Sequence, residues 1–364
     1  MVIIEVHSVY IHIPFCSNIC SYCDFSKFYY NELWVDNYLT SLEREIKLYY
    51  NDEVINTIYI GGGTPSCLNI NQLKKLFAII KNFKVQNLEF TFECNVDITL
   101  DKLLLLKENN VNRISVGVQT INTNLLKTIG RFHTKDEVIN KINLIKQYFD
   151  NINIDLMYAL PNETMADLKK DLDFIISLDV NHISTYSLII EPNTKLYIDK
   201  VKNIDEQLDY DMYKLIKSEL LKKGYKNYEI SNYSKDGYES KHNLVYWNNL
   251  NYYGFGIGSS GYIDNIRYDN TRSYKEYINS KYRLNYHELD LKETIENEFI
   301  LGLRKIDGIN ISTFKNKYNM DIFSIPVVKK MLKDKKLLLE DNQIKIPEQY
   351  LYVSNSILVE FIDF

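Results

Sequence analysis

The sequence lacks several features that would place it in common classes of protein. It has no apolar run long enough to span a membrane, and its first residues, MVIIEVHSVYIHI, contain no basic region followed by a long apolar stretch. Its formal net charge of -5 provides no general attraction to nucleic acid or to an anionic membrane. We therefore expect a cytoplasmic protein with no membrane span and no nucleic-acid partner.

Cysteine is also scarce, and its distribution is uneven. Of the five cysteines, Cys16, Cys20 and Cys23 lie close together, whereas Cys67 and Cys94 are isolated. An odd number clustered in this way does not fit a disulfide framework, and in a reducing cytosol such a cluster indicates a metal or redox centre. We interpret Cys67 and Cys94 as structural, because small buried thiols are common.

What the sequence does contain is an alternation of short β-branched runs with longer stretches of helical periodicity. The runs predict strands at 9–13, 55–60, 88–92, 113–116, 152–156 and 182–188, with a further short strand near 228–230. The helical stretches are 32–50, 71–81, 100–108, 135–148, 165–177 and 206–223. This alternation predicts an α/β fold with parallel strands and crossover helices, either a barrel or an open sheet.

Polar residues at the strand ends favour the barrel. They are the cysteines after the first strand, residues 61–64 after the second, Glu93, Gln119, Asp155 and Tyr186. In a parallel barrel these ends open on one face, where active sites form. Six units predict a partial (βα)6 TIM-like barrel over residues 1–224. We expect an irregular extension at 225–289 and a small, winged-helix-like α+β domain at 290–364.

The spacing Cys16-x-x-x-Cys20-x-x-Cys23 is the strongest chemical signal. A compact loop can direct three thiolates at one inorganic centre, and thiolates suit iron–sulfur clusters or zinc. Structural zinc needs four ligands, and no obvious fourth lies nearby. A cubane cluster with three protein ligands would leave one iron open to a small molecule.

The segments YIHIPFC and CSYCDF around these cysteines resemble the radical S-adenosylmethionine superfamily, in particular the branch of anaerobic coproporphyrinogen oxidase and the heme chaperone HemW. The resemblance implies a 4Fe–4S cluster on Cys16, Cys20 and Cys23. It also implies that the open iron chelates S-adenosylmethionine and that an electron from the cluster, replenished by an electron donor, cleaves this cofactor to a 5′-deoxyadenosyl radical.

The resemblance continues in order along the chain through GGGTPS, FECN, ISVGVQT, GRFH, which includes His133, and DLMYALP. The family's FECN segment usually continues with proline, where this chain has Val96. By resemblance, the residues that line the S-adenosylmethionine site are Tyr10, Tyr22, Gly62, Gly63, Thr64, Glu93, Gln119, Arg131 and Asp155.

Two departures distinguish the members of this branch. The oxidases typically have a fourth cysteine where this chain has Phe25, and an extension ahead of the motif. The segment HNLVYW, which begins at His242, instead resembles the HNxxYW motif of HemW-like proteins, as does the C-terminal region. A neutral imidazole is a good axial ligand of heme iron, so His242 is the candidate heme ligand.

The resemblance thus implies a chaperone that binds heme and delivers it to apo-proteins, including respiratory enzymes. Two alternatives stay open. One is an oxygen-independent coproporphyrinogen III oxidase, which would be an enzyme acting by radical decarboxylation. The other is a structural metal protein without catalysis.

Overall fold

The computed structural model describes residues 6–362 and contains the predicted alternation of strands and helices. The strands are β1 (Ser8–Ile13), β2 (Phe15–Cys16), β3 (Phe28–Tyr29), β4 (Val54–Gly62), β5 (Lys84–Cys94), β6 (Arg113–Gln119), β7 (Asn151–Tyr158), β8 (His182–Ser187), β9 (Lys226–Glu229), β10 (Asn232–Ser234), β11 (Tyr253–Phe255), β12 (Ser260–Ile263), β13 (Ile266–Asn270), β14 (Arg283–Glu288), β15 (Ile309–Asn310), β16 (Leu338–Glu340) and β17 (Gln343–Lys345).

The helices follow the predicted stretches to within a few residues and continue into the C-terminal part. They are α1 (Glu32–Tyr49), α2 (Ile70–Ile80), α3 (Leu100–Glu108), α4 (Thr123–Thr128), α5 (Lys135–Ile145), α6 (Met165–Ser177), α7 (Lys195–Ile198), α8 (Glu206–Lys222), α9 (Lys241–Trp247), α10 (Tyr274–Ile278), α11 (Leu291–Gly302), α12 (Ile311–Tyr318), α13 (Pro326–Lys333) and α14 (Asn355–Leu358). Within residues 6–362, no helix is both long and apolar enough to cross a membrane.

Nine strands form the central sheet, in the order β11-β1-β4-β5-β6-β7-β8-β10-β9. The strands from β11 to β8 are parallel, and β10 and β9 are added antiparallel at the far edge. The predicted six parallel strands are therefore confirmed as neighbours in chain order. Their carboxyl ends lie on one side of the sheet, as in the predicted partial barrel.

Local sequence explains where the crossover helices begin. Thr134 before α5 and Thr164 before α6 each accept a hydrogen bond from the backbone N–H three residues later. The acidic side chain at that later position accepts a bond from the threonine's own backbone N–H. Such reciprocal capping boxes satisfy backbone groups that would otherwise be unpaired at a helix start. All seven residues of β6 are buried, as expected for a central parallel strand covered on both faces.

The segment 225–289 is more regular than the sequence suggested. Its glycine-rich part forms β11, which pairs with β1 in the register Val9 to Tyr253. Strands β12, β13 and β14 form a separate antiparallel sheet. Tyr253 and Tyr277 belong to the same apolar core as the barrel strands, so this segment completes the sheet edge and packs with it. The short, tyrosine-rich and glycine-rich strands have too little periodicity to be recognised from sequence.

The C-terminal part has an apolar core of its own, which includes Phe299, Phe314, Ile344 and Phe361. Helices α11, α12 and α13 pack with a three-stranded sheet in the order β15-β17-β16. The rings of Phe299 and Phe361 stack with their centroids 4.5 Å apart. Strands β16 and β17 form an antiparallel hairpin, and this small unit of helices and hairpin agrees with the α+β expectation.

Candidate functional site

The largest concentration of predicted site residues lies around one cavity of about 340 Å³ at the carboxyl ends of the parallel strands. We call it the cysteine cavity, because Cys16, Cys20 and Cys23 all line it. The other predicted site residues that line it are Tyr22, Gly62, Gly63, Thr64, Glu93, Gln119, Arg131 and Asp155. Residues far apart in sequence thus meet where the barrel geometry predicts.

The three thiols lie on a loop that is fixed to the protein by backbone hydrogen bonds. The Tyr30 N–H donates to the carbonyl of Cys16 over 2.9 Å, and the Cys23 N–H donates to that of Cys20 over 3.3 Å. The Thr64 hydroxyl approaches the Cys16 Sγ at 3.6 Å. Burial raises the pKa of the Cys16 thiol to about 11 and that of Cys23 above its usual value, although the Lys27 ammonium opposes the second shift. Cys16 and Cys23 are therefore neutral thiols that would release protons on binding iron.

The three thiols share one wall of the cysteine cavity. Across residues 6–362, no three His, Cys, Asp or Glu side chains are gathered closely enough to hold a single metal ion. A cubane cluster holds each thiolate on a different iron, so its ligands stand farther apart than those of one zinc ion. Three cysteines on the wall of one cavity are compatible with the cluster ligands that the sequence predicts.

The glycine-rich segment after β4 lies directly against the cysteine loop. The Gly63 N–H donates to the Ile13 carbonyl over 2.9 Å, and the Thr64 N–H donates to the Phe15 carbonyl over 2.8 Å. A Cβ atom on Gly63 would lie 2.8 Å from the Phe15 carbonyl oxygen, and one on Gly62, whose φ is +114°, would lie 2.6 Å from the His12 imidazole. Glycine is therefore required for this close approach.

Two half-buried carboxyl groups form the acidic part of the wall. One oxygen of Glu93 accepts a hydrogen bond from the Tyr59 hydroxyl over 2.6 Å, and the other accepts from the Gly62 N–H over 3.1 Å. Burial raises the pKa of Glu93 to about 7 and also raises the pKa of Asp155, which accepts a bond from Asn153 over 2.7 Å. These carboxyl groups can bind hydroxyl or ammonium groups of a ligand.

Gln119 and Arg131 supply polar atoms that have no partner within the described protein. Gln119 ends β6 with a φ of +70°, and its Oε1 atom is buried without a hydrogen bond. Arg131 donates to the Gly117 carbonyl over 2.7 Å, while its Nε atom is buried and unpartnered. Because unpaired buried polar atoms are costly, a polar ligand in this cavity would satisfy them. The residues present thus fit a small, zwitterionic cofactor beside a cluster.

Of the residues predicted to line the S-adenosylmethionine site, only Tyr10 lies outside the cysteine cavity. Its hydroxyl donates to Nδ1 of His12 over 2.9 Å, and both residues line a second cavity of about 380 Å³. We call this the tyrosine cavity, since Tyr10, Tyr246, Tyr252 and Tyr262 line it. Phe25 lines both cavities and is 62 % exposed, so the two are neighbours.

His242 lines neither cavity, although it was predicted as a ligand. It lies near the start of α9 and is 1 % exposed. Its Nδ1 atom is 2.8 Å from the Thr57 hydroxyl, and its Nε2 atom is 2.7 Å from the Tyr246 hydroxyl. Burial lowers the pKa of His242 to about 3, so the ring is neutral. As the chain is folded here, both ring nitrogens are engaged, and iron can reach Nε2 only after Tyr246 leaves it.

Several residues that the sequence did not single out also line the cysteine cavity. Asn18 and Met157 carry no motif that would identify them. Cys94, interpreted from sequence as structural, is buried at the end of β5 and lines the cavity wall. Its position directly after Glu93 was the available signal. His133 lines a third cavity with Arg131 and Phe132, and its Nε2 atom is buried without a partner.

Comparison with known proteins agrees with this geometry. The sequence model of the radical SAM superfamily matches residues 10–175. The heme chaperone HemW of Lactococcus lactis is 39% identical, with the match covering 98% of this chain and 97% of the relative. The heme chaperone HemW of Bacillus subtilis is 41% identical, over 91% of this chain and 92% of the relative.

Among solved structures, coproporphyrinogen III oxidase (HemN) from Escherichia coli superposes with a TM-score of 0.86. The match covers 99% of this chain and 90% of the oxidase at 20% sequence identity, so it establishes the shared fold alone. The sequence relatives are closer and extend over nearly the full length. This chain belongs to the heme chaperone HemW family of the radical SAM superfamily.

Proposed function

We propose that this protein binds heme and delivers it to apo-proteins, and that it holds a 4Fe–4S cluster and S-adenosylmethionine in the cysteine cavity. The observation that carries the proposal is the similarity to heme chaperones over nearly the whole chain, together with three cysteines on one cavity wall. We propose respiratory heme proteins as recipients and an external electron donor for the cluster.

In this proposal Cys16, Cys20 and Cys23 hold the cluster, which would supply one-electron chemistry with S-adenosylmethionine when both are bound. Gly62 and Gly63, which already allow close backbone approach within the protein, would let their loop approach the ligand as well, and Thr64 approaches the thiol of Cys16.

The remaining groups of the cavity would orient the cofactor. Glu93 and Asp155 would accept hydrogen bonds from its hydroxyl or ammonium groups. Gln119 and Arg131 would use the atoms that now lack partners. Tyr22 lies beside Arg131, and burial raises the pKa of its phenol although the guanidinium acts in the opposite direction. Tyr22 would therefore stay a neutral hydrogen-bond donor.

His242 is the proposed axial ligand of heme. Support comes from its neutral ring and from its place in the HNLVYW segment. Ligation through Nε2 requires that Tyr246 first give up its hydrogen bond to that atom. The heme site is therefore proposed to open from the side of Tyr246.

The test uses full-length protein after anaerobic reconstitution with iron and sulfide. It is titrated with hemin, and in parallel incubated with coproporphyrinogen III, S-adenosylmethionine and a reductant. We expect stoichiometric heme binding without formation of protoporphyrinogen, followed by transfer of the heme to the apo-form of a respiratory heme protein. Turnover of coproporphyrinogen would instead identify an oxidase. Absence of heme binding would overturn the proposal.

A further inference from the structure

The tyrosine cavity has the composition expected of a site for a planar, acidic ligand. Its wall combines several tyrosine rings with two arginines, Arg267 and Arg272, and one carboxylate, Asp24. The rings of Tyr246 and Tyr252 meet edge to face, with centroids 4.6 Å apart. Such rings present broad apolar surface against which a macrocycle can pack.

The first arginine is held rigidly while part of it stays unsatisfied. The Arg267 guanidinium lies over the Tyr262 ring at 4.7 Å and donates to the Asn249 side chain over 3.2 Å. Its Nε atom is nevertheless buried without a hydrogen-bond partner. A stacked guanidinium with a free N–H is suited to bind a carboxylate.

The second arginine lies at the exposed rim of the same cavity. Arg272 is close enough to His12 that its charge contributes to lowering the pKa of that histidine, after the larger effect of burial. Neither arginine has a carboxylate partner within ion-pair distance in the part of the chain from 6 to 362. The cavity therefore presents two arginine side chains that form no ion pair with a carboxylate of the described protein.

We propose that the tyrosine cavity is the heme site and that Arg267 and Arg272 bind the two propionate carboxylates. This inference rests on the proposed heme binding and adds the location and the recognition of the acidic edge. It is consistent with His242, because Tyr246 both lines this cavity and covers Nε2 of that histidine. It also brings the heme next to the cysteine cavity, since Phe25 lines both.

The experiment compares two ligands that differ only in charge at the propionates. Full-length protein with its reconstituted cluster is titrated with hemin and with hemin dimethyl ester, and binding is followed by the Soret band. The proteins are the wild type, Arg272→Gln, the double variant Arg267→Gln with Arg272→Gln, and Arg44→Gln. Arg44 is an exposed arginine on α1 that lines neither cavity, so it controls for the loss of one surface charge.

We expect the wild type and Arg44→Gln to prefer hemin over the ester by about tenfold or more, as for charge-assisted hydrogen bonds. The preference should shrink in Arg272→Gln and vanish in the double variant. Because Arg272 is exposed, its single variant tests the inference even if the change at half-buried Arg267 disturbs folding, which circular dichroism would reveal.

The two ways of failing are distinguishable. If the wild type binds hemin and both variants keep the full preference over the ester, the propionates are bound elsewhere and this inference is wrong, while heme binding stands. If the wild type binds neither ligand, the proposed function is wrong and this site falls with it.

Discussion

The hydroxyl of Tyr246 and Nε2 of His242 lie 2.7 Å apart, and this bond separates the buried histidine from the tyrosine cavity. The tautomer follows from the neighbouring bonds. The Thr57 hydroxyl donates to Ser8 over 2.9 Å, so it accepts from Nδ1–H of His242, and Nε2 is left to accept the Tyr246 proton. The Nε2 lone pair of His242 accepts a hydrogen bond from Tyr246 alone, so movement of the Tyr246 side chain would free it to bind iron.

This relationship predicts opposite effects for two substitutions. Tyr246→Phe removes the hydroxyl that competes with iron, so we expect it to tighten heme binding severalfold, which corresponds to a hydrogen bond of about 1 kcal/mol. His242→Ala should weaken heme binding. Soret titrations of both variants measure the effect, and the cluster absorbance should stay unchanged in each.

If His242 is only a core residue, Tyr246→Phe and His242→Ala would have the same effects. Both would lower thermal stability, Tyr246→Phe because it leaves a buried nitrogen unpaired, and neither would shift the heme spectrum. Heme binding that is equal in His242→Ala and the wild type would therefore refute ligation by this histidine.

The cysteines give a second prediction. Cys20→Ser should abolish the visible absorbance and the iron content of the reconstituted cluster, because a cubane bound by two thiolates is not retained. The fold should survive, since Cys20 is partly exposed on a loop and not in the core. Iron and sulfide analysis with circular dichroism measures both effects.

Cys67→Ser is the matched control for this substitution. Cys67 lies near the loop, and its thiol donates to the Phe15 carbonyl at 3.4 Å, but it does not line the cysteine cavity. A serine there can keep the hydrogen bond and should leave the cluster content unchanged. Equal iron content in Cys20→Ser and Cys67→Ser would contradict the assigned ligands.

Features of the fold and the site that depend on local sequence could be predicted, whereas contacts between residues far apart in the chain could not. The six parallel strands were predictable because each carries a short run rich in β-branched or aromatic residues. Glu93, Gln119 and Asp155 line one cavity, as predicted, because the strand ends meet there. The environment of His242 was not predictable, since its partners Thr57 and Glu89 lie on distant strands. Tyr10 resembled a family position, yet pairing of its hydroxyl with His12 turns it towards the other cavity.

A third prediction concerns the glycine-rich segment. Gly62→Ala would place a Cβ atom 2.6 Å from the His12 ring, and alanine disfavours the local φ of +114°. The displacement should weaken the bond from the Gly62 N–H to Glu93 and so lower the affinity for S-adenosylmethionine, with a cost of about 1–3 kcal/mol. Equilibrium dialysis with the reconstituted protein measures the affinity.

Gly237→Ala controls for the backbone part of this effect. Gly237 also has a positive φ, +82°, but apart from its chain neighbours no atom of residues 6–362 lies within 4 Å of a Cβ atom built there. The Gly237→Ala variant should have a lower free energy of unfolding and an unchanged affinity for S-adenosylmethionine. If Gly62→Ala binds S-adenosylmethionine as well as Gly237→Ala does, the segment is not part of the cofactor site.

The last prediction concerns Glu163, a buried carboxyl group after β7 whose ionisation lowers the stability of the folded state at high pH. Burial raises its pKa to about 8 from 4.5, although the Leu160 N–H, which donates to it over 2.9 Å, opposes the shift. The folded state therefore keeps a proton that the unfolded chain loses above pH 4.5. Stability contributed by this proton is complete at low pH and is lost as pH rises through about 8.

Glu163→Gln mimics the protonated form, so its stability should not fall in this range. Between pH 5 and pH 9, the melting temperature of the variant should rise relative to the wild type by roughly a few degrees. Differential scanning fluorimetry under anaerobic conditions measures the difference, and Glu108→Gln, at an exposed position at the end of α3, is the matched control. A difference between Glu163→Gln and wild type that is independent of pH would mean that Glu163 is already ionised in the folded protein at low pH, for which water would have to enter its pocket.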